Sequence, residues 1–419
     1  MRVALVHDWL TGMRGGEKVL AAIAGLFPDA DLFTLIHAQG ACESITRGRR
    51  VVCSFLNDFP GVERYYRHLL PLMPWAIGQM EVRGYDLVIS SSHCVAKGIR
   101  PGGARHICYC HTPMRYVWSQ TQEYARHSGW ATRIGLAGMA GYLKSWEQRS
   151  AERVDAFFAN SQNVARRIAE CYGRAARVIY PPIDTEFFTS SCRPREDFYL
   201  MVSALVPYKC IDHAIEATAR LGRRLRIIGG GPMLDTLRKR APANVEFLGW
   251  HSDSEVREHY RRCRALLLPG EEDFGMAVVE SMACGTPVIA VKAGGAMETV
   301  ADVECGRDTA TGVLYEPQTV EGLIAAVKRF ESAPNYFDPQ VLRRRAEGFS
   351  QANFRAQFAQ AVDAELSHAN GNGKSAAAPA LRRRLTSSMG KIVYPAATLE
   401  GLKIAKAVRP ATPDLSGSL

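Results

Sequence analysis

Residues 264–300 read RALLLPGEEDFGMAVVESMACGTPVIAVKAGGAMETV, and they predict a complete strand–turn–helix–strand unit. The apolar run 264–269 is typical of a parallel strand that is buried on both faces. Apolar residues at helical spacing follow over 276–284, and residues 288–291 repeat the strand pattern. We therefore expect an α/β unit in which the acidic turn 270–275 leads into a helix.

Two carboxylates of this unit are candidates for ligand binding. Glu272 precedes the predicted helix, where free backbone N–H groups and the positive end of the helix dipole attract anions. Glu280 lies eight positions later, inside the helix. Such a site can hold an anion on the amides while the carboxylates accept hydrogen bonds from a polyol. An ordinary turn followed by a solvated helix glutamate explains the same pattern, so the pair alone leaves both interpretations open.

Composition sets broad limits on the protein. With 419 residues and a net charge of +10, the chain is long enough for two α/β domains and an extension. Its eleven cysteines include no Cys-x-x-Cys, which favours reduced thiols in a cytoplasmic protein over a zinc site. The first apolar run ends at His7 after four residues, too short for a signal peptide, and no run approaches the ~20 residues of a membrane helix. Any membrane association is expected to be peripheral.

Short apolar strands alternate with helical patterns along most of the chain. The alternation predicts two doubly wound parallel sheets, in a first domain over 1–188 and a second over 189–335. The polar run from Thr189 to Asp197 is the hinge candidate. Residues 336–369 are expected to form helices, with residues 340–366 helical. Residues 370–419 carry eight Lys or Arg against two Asp or Glu and predict a basic, flexible tail.

Two other segments follow predicted strands and can contact ligands. Gly15 and Gly16 lie in a glycine turn between the first strand and the first helix, where the backbone can approach a phosphate closely. A tight turn without any ligand is the alternative. His111 follows the strand 106–110 at its carboxyl end, where open α/β sheets bind ligands. A purely structural histidine is the alternative there.

The unit 264–300 resembles the signature of the family-four retaining glycosyltransferases, also called glycosyl transferases group 1. In that family a glutamate, seven residues and a second glutamate lie in the nucleotide-sugar site, which matches Glu272 and Glu280. The turn Gly-Gly-Ala-Met-Glu at 294–298 is similar to a second family element. The block YCHTPMRY at 109–116 is similar to one in the mannosyltransferase-like members. The resemblance covers roughly residues 1–366 and implies the GT-B fold, in which two Rossmann-like domains face a cleft.

The resemblance also implies roles for individual residues. His111, Glu272 and Lys209 are expected to be catalytic, with His111 on the transferred sugar and Lys209 on the donor diphosphate. The residues expected to bind the donor are Gly15, Gly16, Lys209, Gly230, Glu272, Phe274, Gly275, Met276 and Glu280. Those expected to bind the acceptor are Tyr65, Arg67, Arg115 and Tyr116. Where the family often has an arginine this chain has Ala204, and Arg14 is the candidate replacement.

The implied reaction moves a sugar from a nucleotide-diphosphate donor to a hydroxyl group with retention of configuration. The block 109–116 favours mannose from GDP-mannose and a lipid-linked saccharide acceptor. No metal, cofactor or nucleic-acid partner is expected. The basic, aromatic stretches 64–75 and 124–153 and the tail 370–419 suit an anionic membrane surface on the inner face of the plasma membrane. The alternatives are an inactive sugar-nucleotide-binding module and a nicotinamide-dependent oxidoreductase, although the Gly-x-Gly-x-x-Gly turn of the latter is absent.

Overall fold

The computed structural model describes residues 1–118 and 130–371, and this part of the chain forms two α/β domains. The first contains a parallel sheet in the order β3-β2-β1-β4-β5-β6-β7. Its strands are β1 Val3–His7, β2 Asp31–Thr34, β3 Val51–Cys53, β4 Leu87–Ser92, β5 Arg105–Cys110, β6 Ala156–Ala159 and β7 Ala176–Val178. Its helices are α1 Gly15–Leu26, α2 Glu43–Thr46, α3 Val62–Tyr65, α4 Met73–Gln79, α5 Arg115–Trp118, α6 Trp130–Glu152 and α7 Gln162–Tyr172.

The second domain contains a parallel sheet in the order β10-β9-β8-β11-β12-β13. Its strands are β8 Tyr199–Val202, β9 Leu225–Ile228, β10 Val245–Gly249, β11 Leu266–Leu268, β12 Val288–Val291 and β13 Gly312–Tyr315. The helices that follow β8 are α8 Ile211–Arg220, α9 Leu234–Arg240, α10 Asp253–Arg262, α11 Met276–Ala283, α12 Ala296–Thr299, α13 Val320–Glu331, α14 Pro339–Glu347 and α15 Gln351–Gly371. The prediction of two doubly wound Rossmann-like domains is confirmed.

Both sheets reverse their strand order at one point, where β1 lies beside β4 and β8 lies beside β11. Connections on the two sides of such a point cover opposite faces of the sheet, so a crevice opens beyond the carboxyl ends of the two central strands. The segments that leave these ends begin at Asp8, His93, Ser203 and Pro269. A ligand site is therefore expected where these four segments meet.

The chain returns to the first domain through its last two helices. The predicted helical stretch 340–366 is two helices, because the backbone of residues 348–350 turns aside to bond to Ile183. The N–H of Ile183 donates to the carbonyl of Phe349 at 2.9 Å, and the N–H of Gln351 donates to the carbonyl of Ile183 at 3.1 Å. Helix α14 packs in the second domain, whereas Phe354 and Phe358 of α15 are buried in the core of the first.

Candidate active site in the cleft

A cavity of about 520 Å³ lies between the domains, beyond the carboxyl ends of both sheets. Ten of the predicted site residues line it: Gly15, Gly16, Arg67, His111, Arg115, Lys209, Glu272, Phe274, Gly275 and Met276. Arg14 lines it as well. Tyr65, Gly230 and Glu280 are not among its lining residues, and the side chain of Tyr116 lies outside the described part of the structure.

A larger cavity of about 610 Å³ opens at the opposite, amino ends of the second sheet. Its wall includes Arg264, which pairs with Asp197 at 3.0 Å and with Glu331 at 3.2 Å. This charge is thus already neutralised by the protein. The cleft between the domains is the better candidate site, because it combines sheet ends, helix ends and basic groups.

The acidic turn is held in place by close backbone contacts. Gly294 adopts a φ of +57° and packs against the carbonyl of Glu272, a position that leaves no room for a Cβ. The N–H of Gly295 donates to that same carbonyl at 2.8 Å. Gly275 begins α11 with a φ of +86°. The glycine pair at 294–295 therefore supports the turn and orients Glu272 toward the cavity.

Lys209 and Glu272 form an ion pair on the wall of the second domain. Lys209 ends the 3₁₀ helix Pro207–Lys209, which follows β8, and its ammonium group lies over the ring of Tyr208 at 5.0 Å from the ring centre. The lysine is mostly buried and the carboxylate is partly exposed. An anionic ligand entering the cavity would meet a lysine that the protein already holds in one position.

Glu280 has different surroundings from Glu272. It accepts hydrogen bonds from the hydroxyl of Tyr260 at 3.2 Å and from the ammonium of Lys18 at 3.4 Å. Lys18 belongs to α1 of the first domain and also pairs with Asp253 at 3.0 Å. Burial raises the pKa of Glu280, and the charge of Lys18 opposes that shift. The role of Glu280 in binding the donor stays a prediction.

Two helices begin at the cavity from opposite sides. Helix α1 starts at Gly15 and α11 starts at Met276. A Cβ on Gly15 would lie 3.0 Å from the Met276 sulfur, so the two amino ends approach each other closely. Free amides and the positive ends of two dipoles favour negative charge between them.

A cluster of three histidines lies at the floor of the cavity, which His93 and His111 line. His111 binds the hydroxyl of Ser91 through Nε2 at 2.8 Å. His93 lies with its Nδ1 3.1 Å from the Asp8 carboxylate, and His7 is buried beside both rings. Burial alone would lower the pKa of His93, but the Asp8 carboxylate raises it. Burial together with the neighbouring His93 and His7 keeps the pKa of His111 well below its usual value.

The sequence alone did not point to His7, Asp8 or His93 as residues of the site. The signal was present, since Asp8 and His93 directly follow the two central strands of the sheet and His7 ends one of them. The pairing of those strands could not be read from the sequence. Asp8 also accepts backbone hydrogen bonds of 2.6 to 3.0 Å from the N–H groups of residues 93 to 96. It therefore ties the end of β1 to the end of β4.

Arginines of the first domain reach across the cleft to the acidic turn. Arg115 contacts Asp273 at 2.6 Å, and Arg167 contacts Asp273 and Glu271 at 2.8 Å each. Arg14 and Arg67 also line the cavity, and within the described residues neither is paired with a carboxylate. The cavity thus keeps cationic groups available for an anionic ligand.

In the part of the chain that the structure describes, no group of three or more His, Cys, Asp or Glu side chains is arranged to hold a metal ion. Across the same residues, no helix has the length and apolar character needed to cross a bilayer.

Two protein-family models match successive parts of the chain. The model named Glycosyltransferase Family 4 matches residues 13–187, and the model named Glycosyl transferases group 1 matches residues 182–347. Together they account for most of both domains. The chain belongs to the family-four glycosyltransferases. The resemblance inferred from the motif at 264–300 is thereby confirmed.

Relatives of this family-four glycosyltransferase carry different names. A GDP-mannose-dependent alpha-(1-6)-phosphatidylinositol monomannoside mannosyltransferase of Mycobacterium tuberculosis is 29% identical over 48% of this chain and 61% of its own length. A D-inositol 3-phosphate glycosyltransferase of Geodermatophilus obscurus is 30% identical over 43% of this chain and 46% of its own. The chain therefore matches about half the length of these curated relatives.

Solved structures share the fold at low sequence identity. A structure of Anabaena HepE in complex with UDP is 18% identical with a TM-score of 0.63, and the match covers 87% of this chain and 100% of that one. Sucrose-phosphate synthase of Thermosynechococcus elongatus is 18% identical with a TM-score of 0.67, over 88% of this chain and 100% of that one. These similarities establish the GT-B fold.

Proposed function

We propose that this chain transfers a sugar from a nucleotide-diphosphate donor to a hydroxyl group of an acceptor, with retention of anomeric configuration. The observation that carries the proposal is the cavity itself. It brings Lys209 and Glu272 of the second domain opposite His111 of the first, between the amino ends of α1 and α11. Family membership supports the same reaction class.

Charge explains how these groups act. When the glycosidic bond breaks, the leaving nucleotide diphosphate gains negative charge, which preorganised cations and amides stabilise. Lys209 supplies a point charge, and the amino ends of the two helices supply free N–H groups. Arg14 takes the place of the arginine that the family often has where this chain has Ala204. We assign no enzymic nucleophile and propose that the acceptor attacks from the same face, assisted by the leaving phosphate.

Mannose from GDP-mannose is the donor that we propose. The similarity of residues 109–116 to mannosyltransferase-like members supports it, as does the name of the mycobacterial mannosyltransferase among the relatives. Other relatives are named for inositol phosphate and for glycogen synthesis. The donor must therefore be identified directly.

A donor screen tests the proposal. The protein is incubated with GDP-mannose, UDP-glucose and ADP-glucose in turn, with a bacterial lipid extract as acceptor, and the released nucleoside diphosphate is measured. Release of GDP that requires the extract, with a retained linkage in the product, is the expected result. Binding of sugar nucleotides without turnover of any would instead show an inactive binding module. Binding of NAD would revive the oxidoreductase alternative.

A lipid-linked saccharide at an anionic membrane is the acceptor environment that we propose. An exposed surface on the first domain supports it, with Trp75 56% exposed and three other large apolar side chains exposed nearby: Phe59, Tyr65 and Leu72. Arg64 and His68 are exposed on the same segment. Arg67 joins this surface to the cavity. Aromatic and basic side chains together suit the interface of an anionic bilayer.

Vesicle binding tests this environment. Trp75→Ala should weaken binding to vesicles that contain phosphatidylglycerol, whereas Trp250→Ala should not, although Trp250 is 83% exposed on the second domain.

The tail 370–419 lies almost wholly outside the described residues, and its membrane role stays a prediction. Deleting it should weaken vesicle binding most at low salt, because each basic residue near the surface contributes about 1 kcal/mol. Equal binding by full-length and shortened protein would exclude the tail.

A further inference from the structure

His7, Ser91 and His111 form a hydrogen-bonded chain beneath the cavity. The Nδ1 atom of His7 lies 3.0 Å from the carbonyl oxygen of Ser91 and 3.1 Å from its hydroxyl oxygen. That hydroxyl lies 2.8 Å from Nε2 of His111. His7 and Ser91 are fully buried, and the ring of His111 lines the cavity. These hydrogen bonds thus link His111, whose ring can contact a ligand, to His7, which is buried and cannot.

The partners determine where the protons lie. A carbonyl oxygen only accepts hydrogen bonds, so Nδ1 of His7 must carry a proton. The Ser91 hydroxyl cannot donate to that protonated nitrogen. Among the described residues its other partner is Nε2 of His111, and donation to that nitrogen is the assignment that uses the hydroxyl proton. Nε2 of His111 is then an acceptor, and the proton of the neutral imidazole is on Nδ1.

Charges around the cluster keep His111 neutral. His93 lies with its ring centre 6.3 Å from that of His111, and Asp8 holds a proton on His93. Glu17 faces Nε2 of His7 at 4.0 Å, a distance too long for a hydrogen bond. That nitrogen has no hydrogen-bond partner among the described residues. The positive charge is therefore on His93, which pairs with Asp8, and His111 remains an uncharged hydrogen-bond donor.

We propose that His7 and Ser91 are positioning residues that hold His111 as the tautomer with its proton on Nδ1. In that form His111 donates a hydrogen bond from Nδ1 to an oxygen of the sugar in the cavity. The inference rests on the proposed sugar transfer for its ligand, but the tautomer is a property of the free protein. The proposal rests on two observations: Nε2 of His7 has no hydrogen-bond partner among the described residues, and the Ser91 hydroxyl contacts both histidines.

Nitrogen NMR of the histidine rings tests the tautomer without any turnover. In protein with ¹⁵N-labelled histidine, His111 should show a protonated Nδ1 and a bare Nε2 at neutral pH. Ser91→Ala removes the donor to Nε2, so the Nδ1 tautomer should lose its preference. Ser91→Thr keeps the hydroxyl and should restore it. A proton found on Nε2 of His111 in the unmodified protein, or a charged ring, would overturn the proposal.

Ligand binding separates positioning from a general structural effect. Ser91→Ala and His7→Leu should each weaken binding of the sugar nucleotide about tenfold, yet leave binding of the free nucleoside diphosphate unchanged. His7→Asn places an amide N–H where Nδ1 lies and should retain most of the binding. Equal losses for both ligands, or a loss of thermal stability that matches the loss of binding, would show that the pair only supports the fold. If no sugar nucleotide binds at all, the proposed function fails while the NMR result stands.

Discussion

Glu272 and Glu280 belong to one motif, yet the protein places them in different environments. Glu272 is partly exposed in the cavity beside Lys209, whereas Glu280 is buried beneath Tyr260 and Lys18. The first can touch a ligand without any rearrangement. The second holds Lys18 of the first domain against the second. One motif thus supplies a ligand-facing group and a buried anion between the domains.

Substitution of either glutamate should impair transfer. Glu272→Ala removes the partner that orients Lys209, and Glu280→Ala leaves Lys18 and Tyr260 without theirs. Each change should lower kcat/KM at least tenfold, which corresponds to about 1.4 kcal/mol. Steady-state kinetics with the identified donor provide the measurement, and Glu216→Ala on the exposed face of α8 is the control. Unchanged kinetics in both folded variants would exclude this segment from the site.

Asp8 should contribute to stability in a pH-dependent way. Burial alone would raise the pKa of Asp8, but His93 and His7 lower it well below its usual range. Its contribution is therefore fully present above the unfolded value of about 3.9 and is lost as the pH falls further, through the folded value. Asp8→Asn should lower the free energy of unfolding by about 3 kcal/mol at pH 7. Denaturant unfolding at pH 7 and below pH 4 should show the difference shrinking in acid.

Chelation should leave transfer largely intact. Lys209 and the amino ends of α1 and α11 are the groups assigned to the diphosphate, and none of them requires a metal. Product formation with and without EDTA is the comparison. Complete loss of activity that manganese or magnesium restores would show a different mechanism.

At the scale of elements, one buried glutamate fixes the segment that carries Arg115. Glu147 of α6 is fully buried and accepts hydrogen bonds from four donors. They are the Lys97 ammonium at 2.7 Å, the Met114 N–H at 2.9 Å, the Trp118 indole at 2.6 Å and the Tyr172 hydroxyl at 2.6 Å. The carboxylate thus joins α5, α6 and α7 behind the cavity.

Glu147→Gln should destabilise the protein and disturb the site together. It leaves the buried Lys97 charge without its counterion, which costs about 3 to 5 kcal/mol. It should also loosen the loop between His111 and α5. Thermal unfolding and donor KM are the measurements, with exposed Glu152→Gln on the same helix as the control. Wild-type values for both quantities would show that the four hydrogen bonds are not needed.

Elements with strong local patterns could be predicted, and those defined by distant partners could not. The apolar strand at 288–291 has the predicted bounds, since a hydrophobic run between two turns delimits it. Strand β7 was missed because it is a short edge strand with no buried residue. The histidine cluster and Glu147 depend on which strands and helices become neighbours. Which elements become neighbours is a matter of tertiary structure, and only the resemblance of the motif to a known family gave indirect information about it.

At the scale of the whole molecule, the domains are held together by charged contacts around the cavity. Besides the arginines on the acidic turn, the Glu298 carboxylate accepts hydrogen bonds from the N–H groups of Gln162 and Asn163 at 2.7 and 2.9 Å. Glu298 lies on α12 of the second domain, and the two amides begin α7 of the first. The segment around Glu272 therefore contacts both the ligand cavity and the first domain, so its contacts depend on how far apart the two domains lie.

Closure of the cleft should be sensitive to salt. Exposed or half-exposed ion pairs contribute about 0.2 to 1 kcal/mol each and are weakened by screening. Arg167→Met removes two pairs with the acidic turn. It should increase the radius of gyration measured by small-angle scattering, as high salt should for the unmodified protein. Arg166→Met, which affects an exposed pair within the same helix, is the control. Identical scattering curves for Arg167→Met, Arg166→Met and the unmodified protein would show that these pairs do not hold the domains together.

Helix α15 has a consequence for synthesis on the ribosome. Phe354, Phe358 and smaller apolar residues of α15 complete a core whose remaining members lie before residue 180, including Tyr109 with ring centres 5.9 and 6.2 Å from the two phenylalanines. The amino-terminal domain therefore cannot finish packing when its own strands emerge. An apolar groove on this domain stays uncovered until the whole second domain has been translated. Nascent chains halted before residue 350 should accordingly be strong clients for chaperones that bind exposed apolar surface.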